Sequence, residues 1–182
     1  MINEKELLDN FETDLLELTE FMINDLKKEL IDQGHVMTGR MRDSIELAQV
    51  KASQGSIEAL VELENYFEVL DQGVRANRIP FYPGSGRKSS KYIDGLINFW
   101  MIKKGLSEKE ATRAAFATAR KHKKEGMPTQ SSWQSSSNGR RLEWFTRTLD
   151  DSDNYGKFEG NIQNQLENVS DKILNEFEHT LK

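Results

Sequence analysis

The sequence predicts an α+β fold, a small, mainly antiparallel sheet packed against a long N-terminal helix, a middle helical hairpin and a C-terminal helix. Three features carry that expectation. Over residues 3–33 apolar side chains recur at three- and four-residue steps, through Leu8, Phe11, Leu15, Leu18, Met22, Leu26 and Leu30. That spacing lays one stripe along a helix. Over 56–64 the pattern changes to strict alternation, with Ile57, Ala59, Val61 and Leu63 set against Glu58, Glu62 and Glu64. Period two with one polar face is the pattern of a half-buried antiparallel strand. Over 92–125 two helical patterns are separated by Gly105 and the capping-box sequence Ser107-Glu108-Lys109-Glu110, which predicts a helical hairpin.

The remaining elements follow in order. Gly34 is placed to end the first helix, because glycine accepts a left-handed backbone. Met37 to Arg42 is a turn-rich junction. A strand is expected over about 43–52, paired through a loop at Gln54-Gly55 with the strand over 56–64. Leu60 interrupts the alternation and would face a partner. Tyr66 to Gly73 reads as a short helical turn closed by its glycine. Long loops are expected at about 74–91, with Pro80, Pro83, Gly84 and Gly86, and at about 127–139, where serine dominates around Trp133. Loops of such length are usually functional or mobile. Residues 140–149 read equally as strand or short helix. The last helix is expected over 153–181, on the stripe Phe158, Ile162, Leu166, Val169, Ile173, Phe177 and Leu181. No repeat or linker divides residues 1–182, so one domain is expected.

With 182 residues the chain can bury a core without covalent staples. Apolar residues make up 36% and charged residues 30%, and the mean hydropathy is -0.70, on the polar side of globular proteins. Long helices in so polar a chain often bury their remaining apolar faces against partners. There is no cysteine. That excludes disulfides, Cys-ligated zinc, iron–sulfur clusters and thiol nucleophiles, and it suits a reducing cytoplasm. No apolar run approaches a membrane span. The acidic, helical-patterned start Met1-Ile2-Asn3-Glu4-Lys5-Glu6 does not resemble a signal peptide. A soluble protein made in the cytoplasm is the expectation.

The net charge of -5 conceals a strong segregation. Residues 75–147 hold 16 basic and 5 acidic side chains, and the rest of the chain holds 9 basic and 25 acidic. Such segregation suits head-to-tail contact between copies or docking on an acidic partner. A solvated basic helix face beside acidic helices gives the same numbers.

Catalytic chemistry finds little support. His35, His122 and His179 are far apart and share no metal-ligand spacing. His122, between lysines on a helix, is expected to be exposed. Gly84-Ser85-Gly86-Arg87-Lys88-Ser89-Ser90 lacks the full phosphate-loop spacing and follows no strong buried strand, so it reads as a flexible basic loop. Acidic residues are scattered over helix surfaces, and no nucleophile elbow is present. No enzyme activity, metal or cofactor is therefore expected. Arg113, Arg120, Lys121, Lys123 and Lys124, followed by Arg140 and Arg141, form a basic cluster that suits phosphates without base readout. A DNA-binding accessory protein of a phage or mobile element is the alternative function this cluster supports.

Four motifs in order carry a family resemblance. Thr38-Gly39-Arg40-Met41-Arg42-Asp43-Ser44-Ile45 follows the long helix and precedes a strand. Tyr66-Phe67-Glu68-Val69-Leu70-Asp71-Gln72-Gly73-Val74 follows the hairpin, and Arg78-Ile79-Pro80-Phe81 comes next. Trp100 to Leu106, Ala114 to Lys121 and Gly126-Met127-Pro128 complete the series. Over about residues 36–128 the chain resembles the tail-completion, or head–tail joining, neck proteins of long-tailed double-stranded DNA phages. Residues 129–138 depart from that pattern.

The resemblance implies a virion structural protein, made in the host cytoplasm, that forms a ring of six or twelve copies. Such a ring stacks between the portal-side adaptor and the tail tube or tail terminator. DNA passes through its lumen without sequence readout, and no membrane, cofactor or catalytic residue is involved. A ring also needs two unlike faces that close by rotation, which segregated charge supplies. Contacts with partner or sister subunits are expected from Arg40 and Arg42 beside the hairpin. Further contacts are expected from Arg75, Arg78, Phe81, Tyr82, Arg87 and Lys88 on the first long loop, from Trp133 on the second, and from Arg140 and Arg141 just after it. Trp133, Phe81 and Tyr82 would be aromatic anchors on pliable arms that order on docking.

Overall fold

The computed structural model describes residues 4–53, 56–84 and 90–150, together with Gly156, Gly160, Gln163, Asn164, Glu167, Ser170 and Asp171. The architecture is α+β. Its helices are α1 (Glu4–Asp32), α2 (Arg40–Asp43), α3 (Phe67–Gln72), α4 (Lys91–Lys104), α5 (Glu108–Glu125) and α6 (Trp144–Asp150), and its strands are β1 (Glu46–Ser53) and β2 (Ser56–Glu62). The seven described residues beyond Asp150 are helical. The rest of the C-terminal helix expected over 153–181, the Gln54-Gly55 loop and residues 85–89 lie outside the described residues. The chain forms two compact units. One comprises Met1–Lys28, Asp43–Glu64 and Phe145–Lys182, and the other Glu29–Arg42 and Asn65–Trp144.

In the first unit α1 buries Leu18, Ile23 and Leu26, with Leu15 and Met22 half-buried. Leu15, Leu18, Met22 and Leu26 belong to the expected stripe and Ile23 adds to it, while the side chains of Leu8 and Phe11 lie outside what is described. Thr19 is buried as well, its hydroxyl donating to the Leu15 carbonyl at 2.7 Å, so its polar group is satisfied inside the helix. The hairpin pairs β1 and β2 antiparallel, with Leu47 opposite Val61 and Val50 opposite Ala59. A register shift between Leu47 and Gln49 sets Gln49 opposite Leu60. Ala59 and Val61 are half-buried, while Glu58, Leu60 and Glu62 are exposed, as alternation requires. The first strand begins three residues later than expected because Arg40–Asp43 is a helical turn. The amide of Glu64 donates to Ser44 Oγ at 3.2 Å and closes the base of the hairpin. Residues 144–150, ambiguous in the sequence, are helical.

The second unit is organised by the carbonyl end of α1. A helix leaves its last four carbonyls without intrahelical partners, and burying them unpaired is costly. Here each carbonyl from Glu29 to Gln33 has a donor. The Gln33 amide serves Glu29, the Gly34 amide serves Ile31 and the His35 amide serves Leu30, at 2.8–2.9 Å. The last two bonds form a Schellman closure around Gly34, whose φ is 68°. A Cβ there would also strike the Ser135 carbonyl, so only glycine fits. The serine-rich loop supplies the remaining donors. Ser137 donates its amide to the Asp32 carbonyl at 2.8 Å, with Ser136 Oγ and Ser137 Oγ at 3.2 and 3.1 Å from the same oxygen. Arg141 donates from Nη1 to the Gln33 carbonyl at 2.6 Å.

The Gln33 side chain, fully buried, completes the clamp. It donates to Glu29 Oε1 at 2.9 Å and to the Leu142 carbonyl at 3.0 Å. Asn138 also donates to Glu29 Oε1, at 2.9 Å. Residues 130–135 form a 3-10 turn that delivers these groups. The loop over 129–139 is therefore ordered by polar bonds to its own helix end, not a pliable arm awaiting a partner.

The helical hairpin forms the other half of this unit. Ser90 Oγ accepts the Ile93 amide at 3.2 Å at the start of α4, and Gly105, at φ 64°, ends it. Glu110 accepts the Ser107 amide and hydroxyl at 3.1 and 2.5 Å at the start of α5. Ala111, Ala115 and Ala119 are fully buried at successive fourth positions. Small side chains there let α4 and α5 approach closely. Trp100 Nε1 donates to Thr118 Oγ1 at 3.0 Å across the pair. Residues 74–82 lie on the same core, with Ile79, Phe81, Ile93 and Ala119 buried together. Phe81 meets Phe116 edge-on at 6.3 Å. Val74 and Met127 exchange amide–carbonyl bonds at 2.8 Å in both directions, fixing the end of α5 to the start of this segment.

His35 gives the clamp a pH signature. Its ring nitrogen Nε2 lies 3.1 Å from Gln33 Oε1. Burial, then the charge of Arg141, lower its pKa from 6.5 to about 4, against a backbone hydrogen bond with Arg141 that raises it. Between those values the unfolded chain takes up a proton that the folded chain refuses. Stability from this group is therefore full above about pH 7, falls as pH drops toward 4, and levels off below. Urea unfolding across pH 4–7 should show a loss on the order of 3 kcal/mol from this group, and His35→Gln should flatten the profile in that window.

Candidate interaction surface

The basic residues of α5 divide by helix geometry. At about 100° per residue, Lys109, Arg113, Arg120 and Lys124 fall within about 60° of the helix circumference. All four are exposed, as is Ala117 between them. At about 1.5 Å per residue the row runs about 22 Å. The opposite face carries the buried alanines, so packing on α4 holds the row outward.

Other cations of the cluster are engaged internally. Lys123 donates to the Ile79 carbonyl at 3.1 Å and stands 5.0 Å from the centre of the Tyr82 ring, a cation–π distance. Lys121 donates to Ser131 Oγ at 2.5 Å. His122, expected to be exposed, is half-buried, with Nδ1 2.7 Å from the Tyr92 hydroxyl. Burial pushes Tyr92 up to about 12 and His122 below its ordinary range, so the pair is neutral near pH 7. The cause is its place on the half-buried flank of α5, which a run of lysines in sequence conceals.

The contact residues expected from the sequence separate into three groups. Arg75, just before the 3-10 turn Ala76–Arg78, and Arg78 on it are exposed, and Tyr82 is 69% exposed. The bonds of residues 74–79 with Lys123 and Met127 bring this group to the C-terminal end of α5. Arg40 and Arg140 are exposed, and Trp133 is 38% exposed on the serine-rich turn. Arg87 and Lys88 lie outside the described residues.

Two expectations are corrected. Phe81 is buried against Phe116 in the core and offers no surface anchor, because Ile79 and Phe81 together cover the α4–α5 seam. Arg141 is half-buried, with its charge directed to the end of α1, and burial lowers its pKa. Arg42 lies half-buried on α2, a placement that does not contradict its expected contact. Lys109 was absent from the cluster read in sequence, although counting helical angles back from Arg113 places it in the row.

This arrangement suits carboxylates or phosphates held by long cations at the surface. Among the described residues no group of three or more His, Asp and Glu is placed to hold a metal ion. Among the same residues no helix is long and apolar enough to cross a membrane. No protein-family model, curated protein or solved structure matches the chain.

The two neighbouring arginines of the serine-rich loop should behave oppositely. Arg141→Met leaves the buried Gln33 carbonyl without its donor and should cost roughly 1–3 kcal/mol in chemical unfolding. Arg140→Met removes an exposed charge and should change stability by less than about 0.5 kcal/mol.

Proposed function

We propose that the chain is a neck subunit of a tailed phage, forming a tail-completion ring that joins the head-side connector to the tail. One observation carries the reading. The motifs that resemble that family recur in its order, and all but Ala114 to Lys121, which lies within α5, include a joint or connection between elements. Thr38-Gly39 precedes α2. Gly73 closes α3, donating to the Val69 carbonyl at 3.0 Å. Gly105 separates α4 from α5, and Gly126-Met127-Pro128 ends α5 at the Val74 bridge. Residues that shape joints suit a protein that works by its form.

The charge distribution supports the same reading. A ring is closed by a heterologous contact, one face of each subunit on a different face of the next. In this reading the row on α5 and the acidic remainder of the chain serve as unlike faces. The ring has six or twelve copies, meets a portal-side adaptor and a tail tube or terminator protein, and passes DNA through its lumen without reading bases. It acts by assembly within the virion, without a cofactor or a chemical step. Negative-stain electron microscopy of the purified chain should show closed rings. A strict monomer, both alone and with the adaptor, overturns the proposal.

The exposed row on α5 favours a second reading, a DNA-binding accessory protein. Four cations on phosphates give a log–log salt slope of about -3 to -4. Under that reading duplex DNA is retarded at low salt and released steeply as salt rises. An absence of retardation at low salt removes it.

A further inference from the structure

The outward face of the hairpin and the row on α5 have matching patterns. On the hairpin, Glu58, Leu60 and Glu62 are exposed in succession on β2, with Lys51, Gln49 and Glu46 opposite them on β1. Three carboxylates and one ammonium leave this face acidic. Glu46 is directly opposite Glu62, and like charges in that relation destabilise a hairpin unless a cation meets them. Leu60, 55% exposed at the centre, is the one large apolar side chain on this face among the described residues. On α5, Arg113, Ala117 and Arg120 are exposed in succession, with Lys109 and Lys124 beyond them. Acid–apolar–acid thus stands against base–apolar–base.

The dimensions agree. Glu58 and Glu62 are about 13 Å apart along an extended strand. That span falls between the rise from Arg113 to Arg120, about 10 Å, and from Arg113 to Lys124, about 16 Å. Arginine and lysine stems absorb the remaining few ångströms. We propose that the hairpin face of one copy docks on the α5 row of a second copy, with Leu60 on Ala117 and Glu58 and Glu62 on the flanking cations.

Two points select a second copy over a nucleic acid. A phosphate backbone gives Leu60 no role and leaves the Glu46–Glu62 pair uncompensated. The chain also carries a net charge of -5, which opposes a polyanion but not an unlike face of its own kind. Because the two faces differ, the contact is head-to-tail and repeats from copy to copy. The proposal rests on the ring reading and names the surfaces that would close the ring.

The test uses the full chain in three forms: wild type, Arg113→Glu/Arg120→Glu, and Glu58→Lys/Glu62→Lys. Sedimentation velocity at low salt should find wild type as an oligomer and each variant alone as a monomer. An equimolar mixture of the two variants should reassemble, because every contact in it again joins opposite charges. Circular dichroism checks that each variant is folded. If a reversal unfolds the chain, Gln at the same positions replaces it, with a dissociation constant expected to rise at least tenfold.

Variants that assemble like wild type overturn the docking and leave the ring reading standing. So does a mixture of folded variants that stays monomeric beside an oligomeric wild type. A row variant that assembles normally but loses retention of duplex DNA overturns the docking and assigns the row to phosphates. A monomeric wild type at low salt overturns the docking, and the ring reading falls only if rings are also missing with the adaptor.

Discussion

The second unit depends on saturating the carbonyl end of α1. Five carbonyls finish there, and each finds a donor in three local backbone bonds, in the serine-rich loop or in Arg141. Without Ser136, Ser137 and Arg141 the Asp32 and Gln33 carbonyls would be left unpaired, at roughly 1–3 kcal/mol apiece. A loop of short hydroxyl side chains is suited to the task, because serine brings a donor close to the backbone with little bulk. The composition of residues 129–139, low in complexity and nearly without apolar groups, is that of a cap for a buried helix end. Its single tryptophan remains partly at the surface.

A second constraint sorts the cations. The region 75–147 has many more positive than negative side chains, and a compact unit cannot leave them equivalent. Arg141 and Lys123 point their charges at backbone carbonyls, Lys121 at a serine, and Lys109, Arg113, Arg120 and Lys124 remain on one outer strip. The same helix face that packs alanine on α4 determines which lysines reach solvent. Local sequence contains the number of charges, and tertiary packing decides their assignment.

Legibility in the sequence followed the range of the interaction. Periodicity identified α1, β2, α4 and α5, and glycines marked the ends of α1, α3 and α4, because these depend on neighbours within a few residues. The start of β1 was displaced by the helical turn Arg40–Asp43, and residues 140–149 stayed ambiguous, since short segments take their state from what they pack against. The candidate surface was legible only in part. Arg113, Arg120 and Lys124 stood out as basic residues, and Leu60 as an exception to its strand. Phe81 and Arg141 were misread because their partners, Phe116 and Gln33, lie 35 and 108 residues away. His122 was misread because Tyr92, its partner, precedes it by 30 residues.

The alanine lining of α5 has a consequence of its own. Alanine supplies little apolar area, so this helix gains less from burial than one lined with leucine. Beyond its own Phe116, its attachment comes from side chains that others bring: Trp100 from α4, and Ile79 and Phe81 from the segment before α4. The helix is a passenger on a platform built by its neighbours. That arrangement leaves its outer face free to change in sequence without disturbing what holds it down.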